Sequence, residues 1–327
     1  MKVFVTGGAG YIGSHTVRLL LEKGHKVLIY DSLEHGHKKA TLGAPLVVGK
    51  ISDRKKLHDA LVSFRPDAVI HFAAYIAMGE SVVSPSKYFQ NNVTQALTLF
   101  DEMVASKINR IVFSSSAGVY GNPVRVPIQE DDPKLPTNPY GETKLMVEKI
   151  LQWYEKAYGL RSMCIRYFNA AGASVDGKIG ENHVPETHII PIAMQVALGL
   201  RDKFLLYGDD YDTKDGTCVR DYIHVLDLSE AHILALDALL QEHASDVYNA
   251  GTGSGYSNRE ILEEVQRVSK KDFPIEVTSR RPGDANVLVA SVDKIKKELH
   301  FKTQYSDLTT IIESAWKWHT SHPKGFS

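Results

Sequence analysis

The fold of this chain is indicated by its N-terminal stretch, Lys2-Val-Phe-Val-Thr-Gly-Gly-Ala-Gly-Tyr-Ile-Gly13. Its first five residues are a largely apolar, partly β-branched run of the kind that forms a buried strand, and the glycines after them permit a tight turn. Residues 14–22 have helical character, and Gly24 is placed to end that helix. We therefore predict a strand, a glycine-rich loop and a helix, the order that opens a dinucleotide-binding α/β fold.

A second predicted strand, residues 26–30, leads directly into Asp31. In a dinucleotide fold the glycine loop lets the backbone approach a pyrophosphate, whose negative charge meets the N-terminus of the helix. An acid at the end of the second strand accepts hydrogen bonds from the adenosine ribose. Because the charge of Asp31 would repel a 2′-phosphate on that ribose, the sequence favours NAD over NADP.

Strands and helices continue to alternate along the first half of the chain. Further strands are predicted at residues 45–48, 67–72, 110–113 and 161–167, and helices at 53–64, 84–106 and 140–158. This alternation predicts a doubly wound parallel sheet, Rossmann-like, with helices on both faces. After about residue 170 the pattern becomes irregular. We therefore expect an NAD-binding domain over residues 1–170 and a smaller α/β substrate-binding domain over 171–327, with segments of the second crossing back to the first.

The composition indicates a soluble enzyme and argues against other classes. The 327 residues include 38 basic and 39 acidic ones, a net charge of −1, with no basic block to bind nucleic acid. Neither a signal-peptide pattern nor a membrane-spanning apolar stretch is seen, so a cytoplasmic location is expected. Cys164 and Cys218 are expected to be free thiols. The 14 histidines lack a paired metal-ligand spacing, so no metal site is expected.

Candidate catalytic residues lie in the run Pro139-Tyr-Gly-Glu-Thr-Lys144. On a helix, Tyr140 and Lys144 share one face, so the phenol and the ammonium can meet. A neighbouring cation favours the phenolate, so we expect the pKa of Tyr140 to fall from about 10 toward neutrality. The run Ser114-Ser-Ser116 lies upstream of this pair, after the predicted strand at 110–113. A phenol with such a pKa can act as a general acid or base at cellular pH.

The glycine spacing Gly-x-x-Gly-x-x-Gly, together with Tyr-x-x-x-Lys, resembles the extended short-chain dehydrogenase/reductase family. Other segments extend the resemblance over nearly the whole chain and are similar to the UDP-hexose 4-epimerases of that family: Ile70-His-Phe-Ala-Ala74, Phe113-Ser-Ser-Ser-Ala117, Arg166-Tyr-Phe-Asn169, Val219-Arg-Asp-Tyr-Ile-His224 and Arg280-Arg-Pro-Gly-Asp284. The residues after Ser116 are Ala117 and Gly118 rather than the acid pair of the family's dehydratases. Elimination chemistry therefore lacks its acid.

The resemblance implies an activity, a cofactor and an assembly. It implies interconversion of UDP-glucose and UDP-galactose through a 4-keto sugar, with transient reduction of bound NAD. It also implies a homodimer formed through paired helices, for which residues 92–106 and 140–158 are the candidates. Another nucleotide-sugar enzyme of the family, such as a UDP-glucuronate epimerase or a nucleotide-sugar reductase, remains an alternative at this point.

The resemblance further implies which residues form the site. Catalysis is expected from Ser116, Tyr140 and Lys144. Cofactor contacts are expected from Gly7, Gly10, Tyr11, Ile12, Gly13, Asp31, Ser32, Ile51, Phe72, Ala73, Ala74, Asn92, Tyr140, Lys144 and Phe168. Substrate contacts are expected from Ser116, Tyr140, Asn169, His188, Ile189, Tyr207, Arg220, Arg281, Asp284 and Leu288. The two arginines are assigned to the UDP phosphates, which suit guanidinium groups, and Asp284 to the uridine ribose.

Three positions depart from the family pattern. Lys50 replaces an acid that contacts adenine in many epimerases, and Ile76 replaces a lysine that lies near the cofactor phosphates in some members. Both changes should loosen NAD binding. Leu288 replaces a large tyrosine of some members, which leaves room beside the sugar. We therefore expect some turnover of N-acetylated UDP-hexosamines.

Overall fold

Strands and helices alternate from the N-terminus of the chain, as the sequence predicts. A computed structural model describes residues 1–281 and 283–326. The strands are β1 Lys2–Thr6, β2 Lys26–Asp31, β3 Leu46–Val48, β4 Ala68–His71, β5 Arg110–Ser114, β6 Arg161–Tyr167, β7 Asn169–Ala171, β8 Phe204–Tyr207, β9 Val219–Arg220, β10 Tyr222–His224, β11 Asp246–Ala250, β12 Tyr256–Ser257, β13 Ile275–Thr278 and β14 Val287–Leu288. The helices are α1 Tyr11–Glu22, α2 Arg54–Phe64, α3 Met78–Val83, α4 Pro85–Tyr88, α5 Gln95–Ala105, α6 Pro139–Tyr158, α7 Ile189–Ala197, α8 Val225–Leu240, α9 Asn258–Ser269, α10 Asp293–Leu299 and α11 Leu308–Ser321.

A seven-stranded parallel sheet forms the centre of the molecule, in the order β11-β6-β5-β4-β1-β2-β3. Strands β1 to β6 have the spatial order 3-2-1-4-5-6 of a doubly wound dinucleotide fold. Successive residues of a strand point to opposite faces of a sheet. Accordingly, Val3 and Val5 pack in one core cluster with residues of α1 and α8, whereas Phe4 packs in another with residues of α2 and α5. Burial on both faces accounts for the continuous apolar strands and confirms the predicted fold class.

The long helix predicted at residues 84–106 is broken into several pieces. Helix α3 ends at Val83, Pro85 begins the short α4, and a π-helical turn at Phe89–Thr94 precedes α5. A proline is tolerated in the first turn of a helix but not inside it, because it has no N–H to donate to the preceding turn. The π-helical turn carries Asn92, one of the residues expected near the cofactor.

The second half of the chain forms small sheets packed on helices. Strands pair as β10-β7, β12-β9-β14 and β13-β8, and residues of α7, α9 and α11 form a core cluster beside them. Strand β11 also lies in this half of the sequence, yet it pairs with β6 and extends the large sheet. Helix α8 likewise packs against α1. Among the described residues, none of the helices has the length and apolarity needed to cross a membrane.

Candidate active site

The glycine loop forms a cradle at the carboxyl end of β1. Gly7 has φ +73°, and a Cβ added there would lie 2.6 Å from the backbone nitrogen of Ala73. A Cβ on Gly13 would lie 2.2 Å from the carbonyl oxygen of Gly7. Helix α1 begins after Gly10 with neither a side-chain cap nor an acidic residue in its first turn. Its first amides therefore have no side-chain cap, and a helix N-terminus of this kind suits a pyrophosphate, so these residues fit the diphosphate of NAD.

Asp31 ends β2 beside this cradle and is almost completely buried. Its Oδ2 accepts a hydrogen bond from the backbone nitrogen of Ala9 at 2.9 Å, and its Oδ1 accepts one from Leu33 at 2.8 Å. Burial raises the pKa of this carboxyl, and the two amides oppose the rise. Each oxygen keeps a lone pair, so Asp31 can still accept from a ribose hydroxyl. Ser32 follows it, half-buried, at the same edge of the sheet.

The residues expected around the rest of the cofactor lie beside the same sheet edge. Phe72, Ala73 and Ala74 follow β4 directly, and the amide of Phe72 donates to the carbonyl of Thr6 at 3.0 Å. Asn92 is buried, and its side-chain amide is fully engaged. Its Oδ1 accepts from the nitrogen of Tyr75 at 2.8 Å, and its Nδ2 donates to the oxygen of Tyr75 at 3.0 Å and to Thr143 Oγ1 at 3.1 Å. Asn92 thus ties the loop after β4 to α6.

The remaining positions considered for the cofactor differ in their exposure. Ile51 is buried in the core, whereas Ile76 is 39% exposed. The side chain of Lys50 is exposed, and its Nζ lies 3.4 Å from Oε2 of Glu34. The Lys50 ammonium is therefore balanced by a carboxylate of the protein.

The three candidate catalytic side chains meet at the carboxyl end of β5. Asn138 caps α6 by accepting from the amide of Gly141 at 2.9 Å, which places Tyr140 in the first turn of the helix. Lys144, one turn later, donates from Nζ to the carbonyl of Ser114 at 2.7 Å and lies 5.8 Å from the centre of the Tyr140 ring. Ser116, whose Oγ accepts from the amide of Gly118 at 3.0 Å, lies close enough to Tyr140 to act on the pKa of its phenol. All three side chains are buried, so a reaction here is shielded from water.

The pKa of Tyr140 moves in the opposite direction from the sequence-based expectation. Burial raises it above its ordinary value of 10.0, although hydrogen bonds with Ser116 and Tyr167 act to lower it. Burial also lowers the pKa of Lys144 to about 7, because it penalises the charged ammonium. The expected lowering by Lys144 is therefore wrong for the protein's own groups, since desolvation of the phenolate outweighs its favourable partners.

Two site residues were missed by the sequence analysis. Tyr167, the last residue of β6, lies next to Tyr140 and acts on the pKa of its phenol, and its position at a strand end was the available signal. Glu148, one helical turn beyond Lys144, accepts from Ser115 Oγ at 2.6 Å and pairs with Arg166 at 2.6 Å. This buried network fixes α6 against β5 and β6 and so sets the position of Lys144. Sequence spacing alone gave no sign of a partner for Glu148.

The residues expected around UDP form two pairs and a backbone contact. Arg220 is largely buried, donates to the carbonyl of Ala285 at 2.8 Å and lies 3.7 Å from Oδ1 of Asp284. The guanidinium of Arg281 stacks on the ring of Tyr207 at 3.9 Å. Nδ2 of Asn169 donates to the carbonyl oxygen of the residue after Arg220 at 3.0 Å. Pro282, in the same motif as Arg281, lies outside the described residues.

The remaining expected substrate residues lie at element ends. His188 is the N-cap residue of α7 and Ile189 its first residue. Phe168 and Leu288 both pack against a small cluster formed by Val119, Tyr120, Ile128 and Leu145. Leu288 is paired in register with Arg220, so two of the expected substrate residues lie on neighbouring strands.

Comparison with known proteins agrees with this arrangement. The chain is 49% identical over 327 residues to the UDP-glucose 4-epimerase of Halalkalibacterium halodurans, covering 100% of this chain and 98% of that protein. It is 46% identical to the UDP-glucose 4-epimerase from Brucella ovis, solved in complex with NAD, with a TM-score of 0.95 over 96% of this chain and 97% of that one. The Bifidobacterium longum enzyme, solved with NAD+ and UDP, gives a TM-score of 0.94 at 36% identity over 99% and 100%. Residues 3–251 match the model of the NAD dependent epimerase/dehydratase family, and the chain therefore belongs to that family.

Proposed function

We propose that this chain is an NAD-dependent UDP-glucose 4-epimerase that interconverts UDP-glucose and UDP-galactose. The observation that carries the proposal is the meeting of Tyr140, Ser116 and Lys144 in a buried site at the sheet edge that also carries the glycine cradle. Full-length relatives with this activity support it. A reaction that oxidises and re-reduces one carbon needs a cofactor, a proton carrier and a firmly held substrate, and each has candidate residues.

The protein's own groups carry the proton and hold the reacting atoms. The glycine cradle and Asp31 would hold NAD, which would supply the acceptor and donor for the hydride of C4 and a positive charge that favours the Tyr140 phenolate. Tyr140 takes the proton of the 4-hydroxyl and gives it back after the 4-keto sugar has rotated in the pocket. The hydroxyl of Ser116 orients the sugar oxygen and stabilises the phenolate. Lys144, anchored on the carbonyl of Ser114, keeps further N–H groups for the nicotinamide ribose.

Conversion of UDP-galactose to UDP-glucose tests the proposed reaction. Purified protein is incubated with UDP-galactose without cofactor, with added NAD or with added NADH, while absorbance at the nicotinamide band is recorded. An epimerase forms UDP-glucose without net change in that absorbance, and formation without added NAD shows a retained cofactor. Stoichiometric consumption of reduced cofactor would indicate the alternative reductase. No UDP-glucose in any of these reactions would overturn the proposal.

The diphosphate contacts of Arg220 and Arg281 have their own test. Loss of one charged hydrogen bond costs about 1.5–3 kcal/mol, or about 10–150-fold in affinity. Arg281→Gln should therefore raise the KM for UDP-galactose by about that factor and change kcat less. Arg280→Gln is the matched control, because its guanidinium pairs with Asp210. Equal KM values for the two variants would remove Arg281 from the substrate site.

We also propose that the pocket admits N-acetylated UDP-hexosamines. The support is Leu288, which packs on an apolar cluster and carries no ring to narrow the space beside the sugar. Turnover of UDP-N-acetylglucosamine at millimolar concentration is expected, and Leu288→Tyr should reduce it more than it reduces turnover of UDP-galactose. Absence of turnover in the unsubstituted protein would refute this specificity.

The assembly we propose is a homodimer, acting in the cytoplasm in galactose metabolism. Helix α6 exposes Trp153 by 67% and Tyr158 by 60%, large aromatic side chains that a partner subunit can cover. Light scattering should give about twice the chain mass of 36.3 kDa. The proposed division at residue 170 assigns NAD to the first part and the nucleotide sugar to the second, with β11 and α8 packed on the first part.

A further inference from the structure

Four metal-ligating side chains converge in the loop that precedes α7. The run Glu181-Asn-His-Val-Pro-Glu-Thr-His188 supplies them, and one potential ligand atom from each lies within 4.8 Å of all the others: Glu181, His183, Glu186 and His188. We propose that this His-Glu cluster binds a divalent transition-metal ion, with Zn²⁺ the preferred ion. Imidazole nitrogen with carboxylate oxygen is a ligand set that zinc accepts in four-coordinate sites.

Four distances within the His-Glu cluster lie around the separation expected between the ligands of a small tetrahedral site. Nδ1 of His183 lies 3.2 Å from Oε1 of Glu181 and 3.8 Å from Oε2 of Glu186. Nδ1 of His188 lies 2.8 Å from the same Glu181 oxygen and 3.2 Å from Oε1 of Glu186. Around a zinc ion with bonds of about 2.0–2.1 Å, tetrahedral donors are about 3.3 Å apart. An ion can therefore enter with small side-chain movements.

Charge and hydrogen bonding within the cluster also favour a cation. The side chains of Glu181 and Glu186 are only 6% and 3% exposed, so two carboxylates are buried next to each other. Buried charges need compensation by an opposite charge or a metal. Nδ1 of His183 is itself buried and has no hydrogen-bond partner among the described residues, although a carboxylate oxygen of each glutamate lies within 3.8 Å of it. A buried nitrogen without a hydrogen-bond partner beside two carboxylates is a position that a metal ion can fill.

The location of the cluster indicates a structural role for the ion. The indole of Trp318, on α11, donates to the carbonyl of Glu181 at 3.1 Å. The ring of His183 meets the ring of Tyr11, in the first turn of α1, edge-on at 6.4 Å. His188 leads into α7, where substrate contacts are expected. Four protein ligands leave no open position, as in structural zinc sites, so the ion would fasten this loop between α1, α7 and α11.

The spacing Glu-x-His-x-x-Glu-x-His escaped the sequence analysis because it matches no helical or hairpin ligand pair. The four donors meet only because the loop folds back on itself. The expectation that the chain has no metal site therefore rested on local spacing alone. Metal binding is also independent of the proposed epimerase activity, since it is measured without substrate or cofactor.

Metal titration of the purified full-length protein tests the proposal. After dialysis against a chelator, Zn²⁺ is added and bound metal is measured by elemental analysis after gel filtration. One zinc per chain at micromolar free metal is expected, and Co²⁺ in its place should give the intense visible bands of a tetrahedral site. A zinc content far below one per chain, or a weak octahedral Co²⁺ spectrum, would overturn the proposal.

Ligand variants locate the ion. His183→Asn and Glu186→Gln should each weaken zinc binding at least about a hundredfold, since even loss of a residue that only supports a ligand weakens metal binding 10–100-fold. His243→Asn is the matched control, because that histidine is exposed and distant in sequence from the loop. Unchanged zinc affinity in both ligand variants would refute the assignment. If both variants fail to fold, the stoichiometry and the Co²⁺ spectrum of the unsubstituted protein decide the matter.

Discussion

Replacing Tyr140 by phenylalanine removes one oxygen from the centre of the candidate site. The ring is 4% exposed and sits in the first turn of α6, so phenylalanine fills the same space. The interactions of the hydroxyl with Ser116 and Tyr167 are lost, whereas the hydrogen bond from Gly118 to Ser116 and that from Lys144 to Ser114 remain. The substitution therefore deletes the proton carrier and leaves its surroundings in place.

The size of the effect follows from the role of the hydroxyl. A positioned acid–base group contributes about 10²–10⁴-fold to a rate, equivalent to about 2.7–5.4 kcal/mol of activation free energy. We expect the loss of kcat in Tyr140→Phe to lie toward the upper end of that range, because the same group moves the proton in both half-reactions. KM should change little, since the expected phosphate contacts are made by Arg220 and Arg281. The free energy of unfolding should fall by about 1 kcal/mol.

The assay compares Tyr140→Phe with Tyr158→Phe in the conversion of UDP-galactose to UDP-glucose. Tyr158 lies on the same helix but is 60% exposed, so its variant should keep the full kcat. Bound NAD is quantified in both proteins to separate loss of chemistry from loss of cofactor. A Tyr140→Phe variant that binds NAD and keeps kcat within tenfold of the unsubstituted protein would refute Tyr140 as the proton carrier.

Acid should destabilise the fold, because burial lowers the pKa values of four histidines from 6.5 to about 3 or 4: His15, His71, His224 and His232. Each stays neutral when folded but takes up a proton when unfolded, so its contribution is complete above about pH 6.5 and declines by about 1.4 kcal/mol per pH unit below it; a urea midpoint that stays flat from pH 7 to 5 would contradict this. Gly13→Ala should lower bound NAD at least about tenfold, because the added Cβ would lie 2.2 Å from the Gly7 carbonyl, whereas Gly79→Ala meets no atom within 4 Å and should retain NAD. Trp153→Glu should shift the mass measured by light scattering from dimer to monomer, while Val124→Glu, at another exposed apolar residue, should not; a dimer that survives Trp153→Glu would place the interface elsewhere.

Local sequence signals were enough to predict the large sheet and its catalytic edge. Each early feature can be recognised from residues adjacent in sequence: the strand from Lys2, the glycine loop and the acid at Asp31. The structure places them as expected. Tyr140 and Lys144 meet because helical periodicity alone puts them on one face.

Features that depend on distant parts of the chain were less predictable. Strand β11 has a partner, β6, that lies far back in the sequence, and its five residues, Asp-Val-Tyr-Asn-Ala, do not reveal that partner. The direction of the Tyr140 pKa depends on burial depth, which tertiary packing sets. The His-Glu cluster depends on the path of an irregular loop, for which no periodicity exists. In each case the information lies in contacts across the fold.

The pairing of β11 with the large sheet has a consequence for folding during synthesis and for truncated fragments of the chain. A ribosome that has released residues up to 170 has delivered six of the seven strands, and β6 still presents an unpaired edge. An exposed edge strand is a template for pairing with other chains. The seventh strand is available only when residue 250 has emerged. A fragment ending near residue 170 should therefore aggregate rather than fold as an independent nucleotide-binding unit. The proposed division near residue 170 is thus not a division in folding.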